Sequence, residues 1–350
     1  MELFVTGGTG ILGQKLVFSL SNSTDIEKIY LLVRDTNIAT NLFKRLPNVN
    51  IDKILFLKGE LTQELCGLSE TDALSLRKVN KCFHLAASVH LGHGDKVKQM
   101  VTEVNINGTK NILDFLKSNT QIKEVVYVSN AYSCGVTSEI VGDVLQNKPY
   151  HFRNPYEESK WDAEHLLKNE LKDTKIKFAV IRPGILLSSD LGNMRLSNHT
   201  IYLFSNILQK FTKLDQKKIR LIGNPDAKLN FVFIEDLVKY LANLDIKNQS
   251  VNFVNAVSIR IDELLKTISD GLSVPDLFNF EKGKIHEISA VESQINSLLK
   301  PFQPYFLEKW PVWDSSTLIK DVVGMNFQLK GKNEVRHNIK FYCEMMKKNE

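Results

Sequence analysis

The sequence carries a tyrosine and a lysine four positions apart, Tyr156 and Lys160, within the segment 154–165. On a helix, residues at this spacing share one face and lie one turn from each other. An ammonium group at that distance stabilises a phenolate and lowers the tyrosine pKa from its usual value of about 10. The pair predicts a proton donor or acceptor for carbonyl reduction or alcohol oxidation, provided that a dinucleotide site lies upstream.

Such a site is indicated at the start of the chain. An apolar strand at 3–5 is followed by glycines and then by an apolar helix at 15–20. Gly7 would permit a tight turn, Gly10 would let the backbone approach a pyrophosphate, and Gly13 would let the helix pack on the strand. The helix N-terminus offers amide donors to the phosphates. The residues predicted to contact the cofactor here are Thr6, Gly7, Gly8, Thr9, Gly10, Ile11, Leu12 and Gly13.

The end of the second predicted strand, 28–33, bears on the choice between NAD and NADP. An acidic residue there usually binds the ribose 2′-hydroxyl of NAD, whereas an arginine can pair with the 2′-phosphate of NADP. Here Arg34 precedes Asp35, and Arg45 follows on the next helix. We expect NADP(H) to be favoured over NAD(H), with Asp35 facing solvent or capping the helix.

Strands and helices alternate through the first half of the chain. This alternation predicts an α/β fold, a Rossmann-type doubly wound parallel sheet with its ligand at the carboxyl ends of the strands. His84, within an apolar strand, is expected to be a core residue. His90 and His93 have no carboxylate or cysteine at ligand spacing, so no metal is assigned. Further strands are predicted at 53–58, 81–85, 124–128 and 178–181, and helices at 101–117 and around Tyr156.

The composition is that of an ordinary soluble globular protein: 350 residues, 43% hydrophobic, 24% charged, with a net charge of +5. The charges are scattered, which does not favour a nucleic-acid partner. The four cysteines lack pairing or metal spacing, which is typical of a reducing compartment and favours a cytoplasmic protein. We expect no signal peptide and no transmembrane helix, and membrane contact by the closing helix, 334–348, is not predicted.

Together these motifs resemble the extended short-chain dehydrogenase/reductase family over about the first 190 residues. Within it, the chain looks most like the thioester reductases and fatty acyl-CoA reductases, because of Val33-Arg34 and the segments 128–132 and 154–164. The motifs that carry the family resemblance are the loop 6–13, Leu85-Ala86-Ala87, Asn105-x-x-Gly108-Thr109, Tyr156-x-x-x-Lys160 and Arg182-Pro183-Gly184.

The resemblance implies roles for the matching positions. Tyr156 would be the proton donor, and Lys160 would hold the nicotinamide ribose and tune Tyr156. Glu60, where the family usually has aspartate, would lie beside adenine together with Leu61. The remaining cofactor contacts implied are Ala86, Ala87, Asn105, Ser129, Pro183, Gly184 and Ile185.

One position departs from the family pattern. The active-site Ser or Thr would follow Ser129, where this chain has Asn130. An asparagine amide can donate a hydrogen bond to a carbonyl and stabilise an oxyanion, but it cannot relay a proton as a hydroxyl does. Either Ser129 or Ser133 substitutes for the hydroxyl, or the activity is reduced or altered.

After residue 187 the alternation weakens, and strands at 230–236 and 250–255 are expected to return to the main sheet. We expect a Rossmann domain of 1–187 plus about 229–255, and a smaller, mostly helical substrate-binding region of 188–228 plus about 256–350. Aromatic residues of that region would line an acyl or pantetheine channel or pack a small core. They are Phe302, Tyr305, Phe306, Trp310 and Trp313.

Three functions remain open. The first is NADPH-dependent reduction of an acyl thioester to an aldehyde, with further reduction to the alcohol conceivable. Because the glycine loop begins at residue 7, its substrate is expected in trans, as acyl-CoA or on a carrier protein. The second is a dehydrogenase, reductase or epimerase acting on a hydroxyl or ketone of a small metabolite or nucleotide sugar. The third is a non-enzymatic dinucleotide-binding sensor.

Overall fold

A computed structural model describes residues 1–118, 121–192, 196–197, 199–214, 216 and 218–348. The strands of this part are β1 (Glu2–Thr6), β2 (Lys28–Val33), β3 (Ile54–Lys58), β4 (Lys81–His84), β5 (Glu124–Val128), β6 (Ile140–Val141), β7 (Lys177–Pro183), β8 (Ile185–Leu187), β9 (Ile219–Ile222), β10 (Lys228–Leu229), β11 (Phe231–Phe233), β12 (Gln249–Phe253), β13 (Ile259–Arg260), β14 (Phe278–Glu281) and β15 (Val312–Trp313).

The helices are α1 (Ile11–Ser21), α2 (Thr36–Lys44), α3 (Glu70–Ser75), α4 (Asp95–Val101), α5 (Gly108–Ser118), α6 (Pro155–Leu171), α7 (Thr200–Gln209), α8 (Ile234–Asn243), α9 (Ile261–Gly271), α10 (Ala290–Leu298), α11 (Gln303–Leu307), α12 (Ser316–Gly324) and α13 (Lys332–Lys348). A π-helical turn, Thr102–Asn107, joins α4 to α5.

Seven parallel strands form the central sheet in the order β3-β2-β1-β4-β5-β7-β12. The chain leaves β1 in one direction and returns on the other side at β4, so the topological switch point lies between these strands. The predicted doubly wound Rossmann-type fold is therefore confirmed.

The alternation of side chains along β1 shows how the sheet is covered on both faces. Leu3 and Val5 belong to one buried apolar cluster, which includes residues of α1 and α8, and Phe4 belongs to another, which includes residues of α5 and α6. Neighbouring residues of a strand point to opposite faces, so each face of this strand is buried under helices. The sheet edge that these helices frame is where the predicted motifs lie.

The region after residue 187 contains most of the differences from prediction. The segment 250–255 does join the main sheet, as β12 beside β7. The segment 230–236 does not: only Phe231–Phe233 is a strand, and it pairs with β8 in a separate two-stranded sheet. Since α8 begins directly at Ile234, there is no length left for a longer strand. Part of the predicted segment 188–228, namely 193–195, 198, 215 and 217, lies outside the described residues.

No helix in the described ranges is both long enough and apolar enough to cross a membrane. The four cysteines are all buried and unpaired.

Candidate active site

The glycine loop connects β1 to α1 in a turn that side chains would obstruct. Gly7 has φ of +72°, a backbone region that favours glycine, and a Cβ there would lie 2.5 Å from the amide nitrogen of Ala86. A Cβ on Gly13 would lie 2.3 Å from the Gly7 carbonyl oxygen. At Gly10 a Cβ would lie 3.3 Å from the Gly7 carbonyl oxygen, and Gly10 lines a cavity, so this side of the loop is the more open one. The loop thus has tight packing behind it and room in front.

The first turn of α1 presents backbone N–H groups towards this open side. Gly10 is the N-cap residue, and no side chain caps the helix there. The first amides of a helix lack intrahelical partners, and they favour an anion at that end. Gln14 instead holds the loop, by donating to the Thr9 carbonyl at 2.8 Å. The loop and the helix end suit a pyrophosphate, and the cofactor contacts assigned to these residues stay predictions.

The histidine of β4 fixes the base of the same loop. His84 is buried, and its ring nitrogens bond the hydroxyls of Thr6 at 2.7 Å and Thr109 at 3.0 Å. Burial, together with the nearby Lys160 ammonium, lowers the His84 pKa to about 3, so the ring is neutral. Its place in the core agrees with the sequence interpretation.

At the far end of the predicted cofactor site, Arg34 is exposed directly after β2. Asp35 caps α2, since its carboxylate accepts the Ile38 amide at 2.9 Å. A second cavity is lined by Arg34 and Glu60, among others. Arg45 is an exposed residue at the end of α2, outside that lining. The structure thus places Arg34 and Glu60 in the lining of one cavity, whereas the Asp35 carboxylate caps α2.

Leu61, also expected beside adenine, is a buried residue of the core between the sheet and α5. Its carbonyl oxygen accepts the Asn111 side-chain amide at 2.7 Å.

The helix that carries Tyr156 and Lys160 begins with strong local signals. Asn154 has extended backbone geometry and caps the helix by accepting the Glu157 amide at 3.0 Å. Pro155 follows at the first helical position, where a missing N–H costs nothing. Both Tyr156 and Lys160 are buried, and both line one cavity at the carboxyl ends of the strands.

Lys160 is fixed by the fifth strand. Its Nζ donates to the Val128 carbonyl at 2.8 Å and lies 4.2 Å from the centroid of the Tyr127 ring. Burial lowers the Lys160 pKa to about 7, and the Glu164 carboxylate opposes that shift. Among the described groups, the Glu164 carboxylate is the one that favours the ammonium form of Lys160.

The sequence predicts that Lys160 lowers the Tyr156 pKa, but in the structure this pKa is raised. Burial raises the Tyr156 pKa above its usual value, and the neighbouring Glu157 carboxylate raises it further. The reason is that desolvation is the largest cause of the shift, while the Lys160 ammonium is directed to the Val128 carbonyl. Tyr156 is thus protonated and able to donate a hydrogen bond, but its raised pKa makes it a weaker acid than the spacing from Lys160 predicts.

Asn130 has a structural role that the sequence did not reveal. Its side-chain oxygen accepts the Tyr132 amide at 3.0 Å and so caps the short helical turn Ala131–Cys134. The residue also lines the cavity with Tyr156 and Lys160. With the oxygen engaged, its NH2 group is the part that can donate to a substrate carbonyl.

Asn105 bridges two segments of the site from within the π-helical turn. Its amide oxygen accepts the Ser88 amide at 2.7 Å, and its NH2 donates to the Ser88 carbonyl and to the Ser159 hydroxyl. Ser159 in turn donates to the Tyr156 carbonyl at 2.8 Å. Asn105 therefore ties the loop after β4 to α6, and its predicted cofactor contact stays a prediction.

The segment Pro183-Gly184-Ile185 lines the cavity, but its amides already have partners. Gly184 donates to the Phe253 carbonyl at 3.1 Å and Ile185 to the Asn230 carbonyl at 2.8 Å. A Cβ on Gly184 would lie 2.9 Å from that Asn230 oxygen, so glycine is needed for the close approach. Ala87 lines the same cavity from the β4 side.

A buried carboxylate beneath the site was not assigned a role from the sequence. Glu164 accepts the hydroxyls of Ser129 and Ser133 and is paired with Arg182 at 2.7 Å. Both serine hydroxyls proposed as substitutes at the Asn130 position are thus engaged with Glu164. The available signal was the i+4 spacing of Glu164 from Lys160, which places it on the same helix face.

The cavity that joins these residues has a volume of about 370 Å3. Phe302, Tyr305 and Phe306 line it, and Phe302 and Phe306 also belong to the apolar core; an acyl or pantetheine channel stays a prediction. Trp310 and Trp313 are not among its lining residues. Trp313 instead donates to the Ala131 carbonyl at 2.9 Å and packs edge-on against Tyr132.

Among the described residues, no group of three or more His, Cys, Asp or Glu side chains could hold a metal ion.

A Rossmann sheet, a dinucleotide-type glycine loop and a buried Tyr156–Lys160 pair at one cavity define an extended short-chain dehydrogenase/reductase, a class of NAD(P)-dependent oxidoreductases. The model of the Male sterility protein family matches residues 5–240. The chain belongs to this family, in the thioester reductase branch of the class.

Individual relatives are more distant. A dTDP-D-glucose 4,6-dehydratase of Dictyostelium discoideum is 28% identical over 250 residues, which cover 68% of this chain and 54% of that protein. A fatty acyl-CoA reductase of Drosophila melanogaster is 28% identical over 147 residues, covering 37% of this chain and 28% of that protein. The chain thus spans about half or less of the length of these two curated relatives.

The solved structure of the terminal R domain from the myxalamid PKS-NRPS biosynthetic pathway superposes with a TM-score of 0.76 at 19% identity. The superposition covers 99% of this chain and 89% of that domain. At this identity the likeness concerns the fold.

Proposed function

We propose that the chain is an NADPH-dependent reductase that converts an acyl thioester, either acyl-CoA or an acyl group on a separate carrier protein, to an aldehyde. The observation that carries the proposal is the chemistry of one part of the wall of the cavity that Tyr156 also lines. That part is apolar, with Ile201, Phe204, Phe302 and Phe306, and Lys160 is the sole charged side chain in the described lining. A nucleotide sugar would bring a diphosphate to a lining whose one cation, Lys160, is already bonded to the Val128 carbonyl, whereas an acyl chain gains by burial. The Drosophila reductase supports the same reading.

The residues fit a dinucleotide in extended form. The open side of the loop at Gly10 and the uncapped amides of α1 suit the pyrophosphate. Arg34 is exposed where a ribose 2′-phosphate would be recognised, and Asp35, which would oppose that phosphate, is engaged with α2. These features support NADPH over NADH.

The chemistry of the site then follows from the positions of the donors. A reduced nicotinamide, when bound, supplies the hydride that the thioester carbon accepts. The NH2 group of Asn130 and the hydroxyl of Tyr156 donate hydrogen bonds to the thioester oxygen and stabilise its negative charge. Tyr156 gives up its proton, and the resulting hemithioacetal collapses to aldehyde and thiol. The same donors would serve the aldehyde carbonyl, so a second reduction to the alcohol belongs to the hypothesis.

The test is cofactor oxidation with NADPH against acyl-CoAs, simple ketones and nucleotide sugars, with product analysis for aldehyde and alcohol. We expect turnover of acyl-CoAs, and a loss of about 10²–10⁴-fold for Tyr156→Phe if that hydroxyl is the proton donor. Tyr150→Phe is the matched control, because Tyr150 is fully exposed. Turnover of ketones or nucleotide sugars without turnover of thioesters would refute the proposal.

A further inference from the structure

Glu164 occupies an unusual position for a carboxylate. It lies one turn beyond Lys160 on α6 and is 1% exposed. One oxygen accepts the Ser129 hydroxyl and the Ser133 hydroxyl, the latter at 2.9 Å. The other accepts Nε and Nη2 of Arg182 at 2.9 and 2.7 Å. A buried charge persists only when it is paired and hydrogen-bonded in this way.

The partners of Glu164 adjoin separate parts of the cavity wall. Ser129 directly follows β5 and precedes Asn130, whereas Arg182 lies at the end of β7 and precedes the segment Pro183–Ile185. Arg182 also donates to the Val144 carbonyl at 3.0 Å. One carboxylate therefore joins the catalytic helix to the ends of the two strands beside it.

The same carboxylate acts on Lys160. The ionisable groups that face Lys160 are Tyr156 and Glu164 on its own helix, His84 on β4 and Tyr127 on β5. Burial keeps both tyrosines and the histidine uncharged. Among the described groups, Glu164 is thus the anion that favours the ammonium form of Lys160.

We propose that Glu164 is a positioning residue of this site: its carboxylate fixes the Asn130 segment and the end of β7 against α6, one helical turn from Lys160. The catalytic part rests on the proposed function. It follows that Ser129 contributes its hydroxyl to Glu164 and does not replace the hydroxyl that Asn130 lacks.

The first test measures Lys160 in the free protein, by NMR titration of lysine labelled at Cε, with Lys160→Arg used to assign the resonance. Glu164→Gln should move the Lys160 midpoint to lower pH by about one unit or more, since an anion in a buried setting is removed. Glu170→Gln, on the same helix but paired with Lys117, is the control that should leave it unchanged. An unshifted midpoint in Glu164→Gln overturns the proposal. Neither cofactor nor substrate is needed, so the result stands whether or not thioesters are turned over.

The second test uses two small substitutions that leave Glu164 itself unchanged. It tests the positioning role of Glu164 even if Glu164→Gln does not fold. Ser129→Ala and Ser133→Ala each remove one donor to the same oxygen. We expect similar decreases in kcat, roughly two- to fivefold each, with the Lys160 midpoint retained. A loss above about a hundredfold in Ser129→Ala beside normal activity in Ser133→Ala would identify Ser129 as a catalytic hydroxyl and overturn the proposal.

Discussion

The glycine loop allows folding and cofactor binding to be separated with two alanine substitutions. At Gly13, a new Cβ would lie 2.3 Å from the Gly7 carbonyl oxygen and 2.6 Å from the Gly8 Cα. Both atoms belong to the backbone, so the loop must move. At Gly10, a Cβ would lie 3.3 Å from the same Gly7 carbonyl oxygen, a close contact that a shift of a few tenths of an ångström relieves, and φ of −72° with ψ of 169° suits any residue. The two sites therefore differ in how severely an added methyl group meets the backbone.

These geometries give different expected magnitudes. Overpacking costs about 1–3 kcal/mol, and for Gly13→Ala about 1 kcal/mol is regained through helix propensity. Because the contacts at 2.3 and 2.6 Å are with backbone atoms, the cost lies at the upper end, and the net loss of about 2 kcal/mol should lower Tm by about 4 °C, at roughly 2 °C per kcal/mol. Gly10→Ala changes an N-cap glycine, which costs less than about 1 kcal/mol. Its methyl group would obstruct the phosphates, and an obstruction of about 1–3 kcal/mol weakens NADPH binding roughly tenfold to a hundredfold.

The assay is thermal unfolding without ligand, combined with NADPH titration by calorimetry. Gly324→Ala serves as the control, because nothing lies within 4 Å of a Cβ there. Gly13→Ala should lose stability, Gly10→Ala should lose affinity while it keeps its Tm, and Gly324→Ala should lose neither. The reasoning is refuted if Gly13→Ala unfolds at the wild-type temperature, or if Gly10→Ala binds NADPH with an unchanged Kd.

Three further predictions follow from single residues. Arg34→Ala should raise the KM for NADPH about tenfold or more and change the KM for NADH little. Arg77→Ala is the control, because Arg77 is also an exposed arginine. Equal changes in both KM values would contradict the contact between Arg34 and the 2′-phosphate. The pKa of Lys160 in the folded protein, about 7, is below its value of about 10.4 in the unfolded chain. The burial of Lys160 therefore destabilises the fold fully below about pH 7, and this destabilisation decreases as the pH rises towards 10.4. Lys160→Met should therefore be more stable than wild type in urea unfolding at about pH 6, with a smaller difference at about pH 9, and a gain that grows with pH would show the sign to be wrong. Asn130→Ser keeps a side-chain cap for the turn 131–134 and should retain activity, whereas Asn130→Ala should lose about 1 kcal/mol of stability and also lose activity. Tm and kcat measure the two effects. Equal Tm and kcat values for the two variants would rule out both the capping role and the hydrogen-bond donor role of Asn130.

The fold was predictable because its signals are local and repeated. Apolar strands alternate with helices, and glycines at 7, 10 and 13 occur at a turn where the structure shows a positive φ at Gly7 and close backbone contacts. The prediction of a strand at 230–236 was wrong because the apolar run in this segment, Phe231–Ile234, is divided between a short strand and the start of α8. Such a run does not distinguish a strand from a buried helix segment.

The electrostatics of the site could not be read from spacing alone. The Tyr156–Lys160 interval correctly places both side chains at one cavity, yet the direction of the Tyr156 pKa depends on burial. Burial is set by the whole fold, including Phe302 and Phe306 from the other end of the chain. A four-residue interval contains none of that information.

The position of Asn130 shows why a departure from a motif has to be weighed by contacts. In sequence, the departure suggests that a neighbouring serine takes over the missing hydroxyl. In the structure, Ser129 and Ser133 donate to Glu164, and Asn130 caps the turn that follows β5. A serine oxygen could make that same cap, so the exchange leaves the backbone as it is and changes only the group offered to the cavity, from a hydroxyl to an amide. Since an amide can stabilise an oxyanion but cannot relay a proton, proton transfer in the proposed reaction depends on Tyr156.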